Sequence, residues 1–137
     1  MKTEDILRPK SEKEIEQALN KLTPNEMLIK ASKFGLVNFV KKALELEADV
    51  HAKDDLALRL ASKNGHVEVV KVLLGAGANV HAYYDWALRY ASENGHVEVV
   101  RVLLRAGADV HANDDGALRW ASGNDHVEVV KVLKKYM

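Results

Sequence analysis

The sequence predicts an all-α solenoid of stacked helix–turn–helix units, and three observations carry that expectation. The stretch from Asp54 to Ala82 recurs almost residue for residue from Tyr84 to Ala112, and again from Asp114 until the sequence stops at Met137. Self-similarity at a short fixed period, here 30 residues, marks stacked repeats. Inside each copy, two runs with apolar residues at helical spacing flank an Asn-Gly or Asn-Asp pair, the punctuation of a helix, a turn and a second helix. A unit this short cannot bury its apolar face alone, so the units must stack.

Composition narrows the class further. The 137 residues suit one small domain, and 47% hydrophobic with 29% charged residues argues for a folded chain over a disordered one. Twenty basic and twenty acidic side chains cancel, so no global field steers the protein toward nucleic acid or an anionic membrane. No apolar run reaches the roughly 20 residues needed to cross a bilayer. The start, from Met1 to Lys10, has no apolar core of a secretory signal. With no cysteine present, disulfides and thiolate metal sites are excluded. An intracellular, cytoplasmic location is the resulting expectation.

Taken in order, residues 1–10 read as a tail. Ser11 to Glu14 form a capping-box pattern that opens a capping helix over 11–23, with Ile15, Ala18, Leu19 and Leu22 on one face. Thr23-Pro24-Asn25-Glu26 starts the next helix, with proline where its missing amide costs nothing. A degenerate first unit occupies 24–53, followed by units at 54–83, 84–113 and 114–137. Asp55, Asp85 and Asp115 stand where an N-cap belongs, ahead of the Ala-Leu-Arg run. Ala57, Leu58 and Ala61 form the buried stripe of the first helix, which stops at Asn64-Gly65 because glycine takes left-handed backbone at low cost. The second helix, Val67 to Leu74, is rich in valine and needs neighbours to hold it. Glu68 and Lys71, Glu98 and Arg101, and Glu128 and Lys131 mark its solvated side as i,i+3 pairs. Gly77 and Gly107 end it.

The run Gly-His-Val-Glu-Val-Val-Lys-Val-Leu-Leu-Gly-Ala-Gly-Ala-Asn-Val-His-Ala at 65–82, with its copy at 95–112, resembles ankyrin repeats, and the resemblance covers residues 24–137. The period of 30 is shorter than the 33 usual in that family, and Leu-Ala-Leu-Arg at 56–59 replaces its Thr-Pro-Leu-His. This short form looks like the repeats abundant in large DNA viruses of amoebae and in some intracellular microbes. The resemblance implies tight inter-repeat turns in place of projecting hairpins. In the fourth unit Lys134 replaces a core leucine, which suits an end on which nothing stacks. Asp125 replaces the turn glycine at a cost of about 1–2 kcal/mol if left-handed geometry is kept.

Chemistry has few footholds. The histidines at 51, 66, 81, 96, 111 and 126 belong to two ladders whose rungs are about 10 Å apart, too far to share one metal at about 2 Å. They read as loop ties (51, 81, 111) and second-helix starts (66, 96, 126). Ser62, Ser92 and Ser122 have no partner set that distinguishes one copy from another, whereas a catalytic site is a unique constellation. Asp55–Arg59, Asp85–Arg89 and Asp115–Arg119 read as i,i+4 ion pairs that support the helix. Gly-Ala-Gly-Ala at 75–78 lacks the lysine of a phosphate loop. No enzyme activity, metal or cofactor is expected.

Positions that differ between units are free to serve something other than the scaffold. In register they are Lys53, Tyr83 and Asn113; Asp54, Tyr84 and Asp114; Leu56, Trp86 and Gly116; Lys30, Leu60, Tyr90 and Trp120; and Lys33, Lys63, Glu93 and Gly123. They cluster at the inter-repeat turn and along the first helix, which the resemblance makes the concave, partner-holding face. Tyrosine and tryptophan are enriched in interface hot spots. The expected function is protein–protein interaction through Tyr83, Tyr84, Trp86, Tyr90, Trp120, Lys53, Glu93 and Asn113. Inter-repeat packing competes as the role of Tyr90 and Trp120. The partner is another protein, with no nucleic acid and no membrane. The expected state is a monomer, and the alternative is a structural or self-associating homodimer with no separate partner.

Overall fold

The computed structural model describes residues 11–137, so the expected tail at 1–10 lies outside the described residues. Among those described, every regular element is an α-helix: α1 Glu12–Asn20, α2 Pro24–Phe34, α3 Val37–Glu45, α4 Ala52–Lys63, α5 Val67–Gly75, α6 Ala82–Glu93, α7 Val97–Arg105, α8 Ala112–Gly123 and α9 Val127–Lys134. None is long and apolar enough to cross a membrane. The first helices α2, α4, α6 and α8 pack side by side in one layer, and the second helices α3, α5, α7 and α9 form the other. This is the helix–turn–helix solenoid, with α1 laid against α2.

Local chemistry sets the helix starts and stops. The Ser11 hydroxyl accepts the Glu14 amide and opens α1. At α2 the box closes fully: Thr23 accepts the Glu26 amide at 3.2 Å, and the Glu26 carboxylate accepts the Thr23 amide at 3.0 Å. That bond holds the Glu26 pKa below the ordinary carboxylate value. Gly35, Gly65 and Gly95 all have positive φ where the first helices end, and Gly77 and Gly107 do the same after the second helices.

Between the layers lies a repeating core. Leu28, Leu58 and Leu88 from the first helices meet Val40, Val70 and Val100 and then Leu73, Leu103 and Leu133 from the second helices, all fully buried. Ala31, Ala61, Ala91 and Ala121 are fully buried as well, and their small size lets adjacent first helices approach closely. The valines of α5, α7 and α9 are mediocre helix formers, held by this packing more than by propensity.

The fourth pair departs at its turn. Asp125 keeps the left-handed geometry of the glycines it replaces, with φ at 60°. An L-residue there costs about 1–2 kcal/mol, which Asp offsets in part through its short polar side chain. Asp125→Gly is therefore expected to raise stability by about 1 kcal/mol, read as a shift of the urea midpoint at constant slope. Lys134 is exposed at the end of α9.

Candidate functional site

Near the start of α4, α6 and α8, three successive left-handed residues interrupt the helix and make a turn. Lys53, Asp54 and Asp55 have φ of 53°, 56° and 56°; Tyr83, Tyr84 and Asp85 have 53°, 54° and 56°; Asn113, Asp114 and Asp115 have 56°, 56° and 57°. None is glycine. Left-handed backbone costs an L-residue roughly 1–2 kcal/mol, and strain of this kind persists only where the surroundings over-determine it.

Two devices hold the turn. The arginine one helical turn on folds back over it: Arg89 donates from Nε to the Tyr84 carbonyl at 2.9 Å and from a terminal nitrogen to the Tyr83 carbonyl at 3.0 Å. Arg59 grips Asp54 and Lys53 in the same way, and Arg119 grips Asp114 and Asn113. The second device is the third residue of the turn. The Asp85 carboxylate, 4% exposed, accepts the Asp109 amide of the next inter-repeat loop at 2.7 Å and faces His81 Nδ1 at 3.1 Å. Asp55 does the same with Asn79 and His51. At the start of α2, Asn25 takes that place and accepts the Asp49 amide at 2.7 Å.

These contacts correct two sequence expectations. Asp55, Asp85 and Asp115 are not helix N-caps, because their own backbone is left-handed and, for Asp55 and Asp85, the carboxylate ties successive loops. Nor do they pair with Arg59, Arg89 and Arg119: the arginines spend their donors on turn carbonyls. The i,i+4 rule assumes continuous right-handed backbone between the two residues, and here the aspartate is the last of the three left-handed residues that interrupt the helix. The loop histidines in turn bond to the aspartate of their own loop, and the crossing to the next loop is made by that aspartate.

The second histidine ladder also differs from expectation. His66, His96 and His126 precede their helices without capping them through the side chain. Instead His66 Nε2 meets the Lys33 carbonyl at 3.0 Å, a contact that requires the proton on Nε2, and Asn64 donates to the same carbonyl. The Asn94 and Asn124 amides repeat that bond to the carbonyls of Lys63 and Glu93. Each imidazole lies close over the turn glycine of the preceding unit, so that a Cβ on Gly65 would stand 2.6 Å from His96 Nδ1.

Burial lowers the His96 pKa below the ordinary imidazole value; the Lys63 carbonyl opposes the shift, and His66 and His126 add to it. The unfolded chain thus takes up a proton near pH 6.5 that the folded chain accepts only at lower pH. Stability is full above about pH 6.5 and declines as the pH falls through the folded value. Urea unfolding at pH 7.5 and 5.5 is expected to show the loss, with His96→Gln showing a smaller one.

Above this frame lies a row of rings. Trp86 and Tyr90, one turn apart on α6, stack with centroids 3.8 Å apart, and Tyr90 meets Trp120 of α8 edge-on at 5.3 Å. Arg59 lies over Tyr83 at 4.7 Å and Trp86 at 5.3 Å, while Arg89 lies over Trp120 at 5.4 Å. Such contacts are worth about 0.5–2 kcal/mol each. Trp86, Tyr90, Trp120 and Glu93 are half-buried; Lys53, Asn113, Tyr83 and Tyr84 are exposed, the last two at 54% and 76%. Trp86, Tyr90 and Trp120 thus form one continuous surface, joined to Tyr83 through Arg59. Tyr84 stands outside it. The Tyr90–Trp120 contact makes inter-repeat packing a real part of what those two residues do.

The three arginine clamps were absent from the expected site. Their signal is in the sequence: a side chain that stays the same in three units while the residues it touches change must be touching backbone. Ser62 and Ser92, by contrast, are fully buried and out of reach of a substrate.

Searching known proteins gives a finding consistent with this architecture. The model of the family described as ankyrin repeats (3 copies) matches residues 6–84, 28–114 and 83–137. No curated protein matches the chain. Helix pairs stacked in two layers, tight turns in place of hairpins, and family matches that together run from residue 6 to the end of the sequence lead to one conclusion: the chain belongs to the ankyrin-repeat family.

Proposed function

We propose that this protein is an interaction scaffold that binds a partner protein through the turn and first-helix face, with Tyr83, Tyr84, Trp86, Tyr90, Trp120, Lys53, Glu93 and Asn113 as its docking residues. Ankyrin repeats are generally protein–protein interaction modules. The observation that carries the reading is the row of rings on a face whose residues change from unit to unit while the frame beneath repeats. Aromatic side chains offer large apolar area at low entropic cost, and the clamped turns hold them before any partner arrives. In the same proposal α1 closes one end of four units at 24–53, 54–83, 84–113 and 114–137, and the scaffold works without catalysis inside the cell.

The test is affinity capture with quantitative mass spectrometry, comparing wild type with Tyr83→Ala/Tyr84→Ala/Trp86→Ala after circular dichroism confirms the fold. A protein captured by wild type, lost from the variant, and binding the purified wild-type chain directly is the expected outcome. Capture that survives the triple change removes this face as the site. A concentration-dependent dimer in light scattering that the variant abolishes would favour self-association instead.

A further inference from the structure

The first-helix face has a charge pattern that the scaffold does not require. On each first helix, three residues at i, i+4 and i+7 share one side: Glu26, Lys30, Lys33; Leu56, Leu60, Lys63; Trp86, Tyr90, Glu93; Gly116, Trp120, Gly123. Lys30, Lys33 and Lys63 are exposed, and among the described residues none of them forms an ion pair. On the second helices Lys71, Arg101 and Lys131 each hold the glutamate three residues earlier, at 3.4, 3.2 and 3.3 Å, while Lys41, Arg105 and Lys134 form no ion pair among the described residues. Glu26, four residues before Lys30 on this row, accepts the Thr23 amide and feels Lys30 only as a minor charge, without an ion pair. A cation near a helix C-terminus complements the dipole, but Glu93 and Gly123 occupy the same register in α6 and α8, so the dipole does not demand one there. In a chain with equal numbers of acids and bases, positive charge without a carboxylate partner lies beside the aromatic surface: Lys63 stands over the Tyr90 ring at 5.8 Å, Lys33 over the Phe34 ring at 5.3 Å, and Lys30 borders the apolar hollow between α1 and α2.

We infer that the partner presents an acidic segment in extended conformation, its apolar side chain seated on Trp86, Tyr90 and Trp120 and its carboxylates meeting Lys63, Lys33 and Lys30. This rests on the first-helix face being the docking surface. Neighbouring helices stand about 10 Å apart and an extended chain rises about 3.3 Å per residue, so three residues of the segment span one unit. Carboxylates therefore fall about three and six residues from the apolar anchor. Charge complementarity of this sort fixes register and speeds encounter. Both tryptophans of the chain, Trp86 and Trp120, lie at the anchor, so their emission reports occupancy with no label on the protein.

The experiment selects displayed random 12-residue peptides on the full chain and removes those that also bind Tyr83→Lys/Tyr84→Asp/Trp86→Leu, which carries the residues of the preceding unit at those positions. The survivors are then titrated as synthetic peptides without tryptophan, read by the protein's own tryptophan emission. The expected survivors are acidic, with Asp or Glu about three and six residues from an apolar residue. Lys30→Glu/Lys33→Glu/Lys63→Glu, checked for fold by circular dichroism, is expected to weaken them about tenfold or more, and Lys-for-Glu peptides to regain binding to that variant. Survivors that are neutral or basic, or acidic ones indifferent to the lysine changes, overturn the acidic assignment and leave the docking face standing. Peptides that bind wild type and the aromatic variant equally, leaving no survivors, overturn the docking face itself.

Discussion

Replacing Gly65 by alanine is expected to destabilise the protein by about 2–5 kcal/mol. Two costs combine at this position. Its φ of +77° is left-handed, worth about 1–2 kcal/mol to an L-residue, and the new Cβ would lie 2.6 Å from His96 Nδ1 and 2.8 Å from Cε1. Retreat of that ring would disturb the Lys63 carbonyl, which bears on the same imidazole. Gly77 supplies the control. Its φ is +95°, yet a Cβ there meets nothing within 4 Å, so Gly77→Ala is expected to cost only the backbone part, about 1–2 kcal/mol. Parallel urea titrations of the two variants separate strain from collision. Equal losses would mean that the histidine ladder does not press on the glycine.

Arg89→Ala is the second large effect, expected at about 2–4 kcal/mol. Arg89 is 8% exposed, and its guanidinium donates to two carbonyls of a turn with three left-handed residues. A hydrogen bond from a charged group contributes about 1.5–3 kcal/mol, and the two are not additive because they share one side chain. Losing them leaves the Tyr83 and Tyr84 carbonyls without the clamp that offsets the strain. Arg119 makes the equivalent bonds but is exposed, so Arg119→Ala is expected within about 1 kcal/mol of wild type. Arg89→Lys should fall between them, since an ammonium lacks the planar fork that reaches both carbonyls. Differential scanning calorimetry of the three variants gives the order directly.

These two positions show how much of the fold was legible in the sequence. The period of 30 and the Asn-Gly pairs were enough for the two helical layers, and Gly65 and Gly95 adopt the left-handed caps expected of them. Turn geometry was not legible, because left-handed backbone is ordinarily announced by glycine or asparagine and Lys53, Tyr83 and Tyr84 give no such sign. Asp85 and Arg89 then sat four residues apart in the pattern of a helical ion pair, and only the three-dimensional turn shows one reaching the next loop and the other reaching backward. The candidate surface was better marked. Variation between units drew attention to Tyr83, Tyr84, Trp86, Tyr90 and Trp120; the rings of Trp86, Tyr90 and Trp120 come together, Tyr83 joins them through Arg59, and Tyr84 stands apart. Lys30, Lys33 and Lys63 were visible as variable positions, but their freedom from carboxylates depends on geometry.

The central claim is that repeated residues build the frame and unlike residues are left for a partner. Urea unfolding of Tyr83→Lys/Tyr84→Asp/Trp86→Leu tests it most directly, since each change installs the residue found 30 positions earlier. The variant loses three contacts, the Trp86–Tyr90 stack and Arg59 over Tyr83 and Trp86, which sum to about 1.5–3 kcal/mol at exposed sites and come to less in practice because they share Arg59 and Trp86; it keeps every clamp on the turn. A cooperative transition within about 2 kcal/mol of wild type is the predicted result. A loss of about 4 kcal/mol or more, or a chain that no longer folds, would make the aromatic row part of the frame and contradict its assignment as a docking surface.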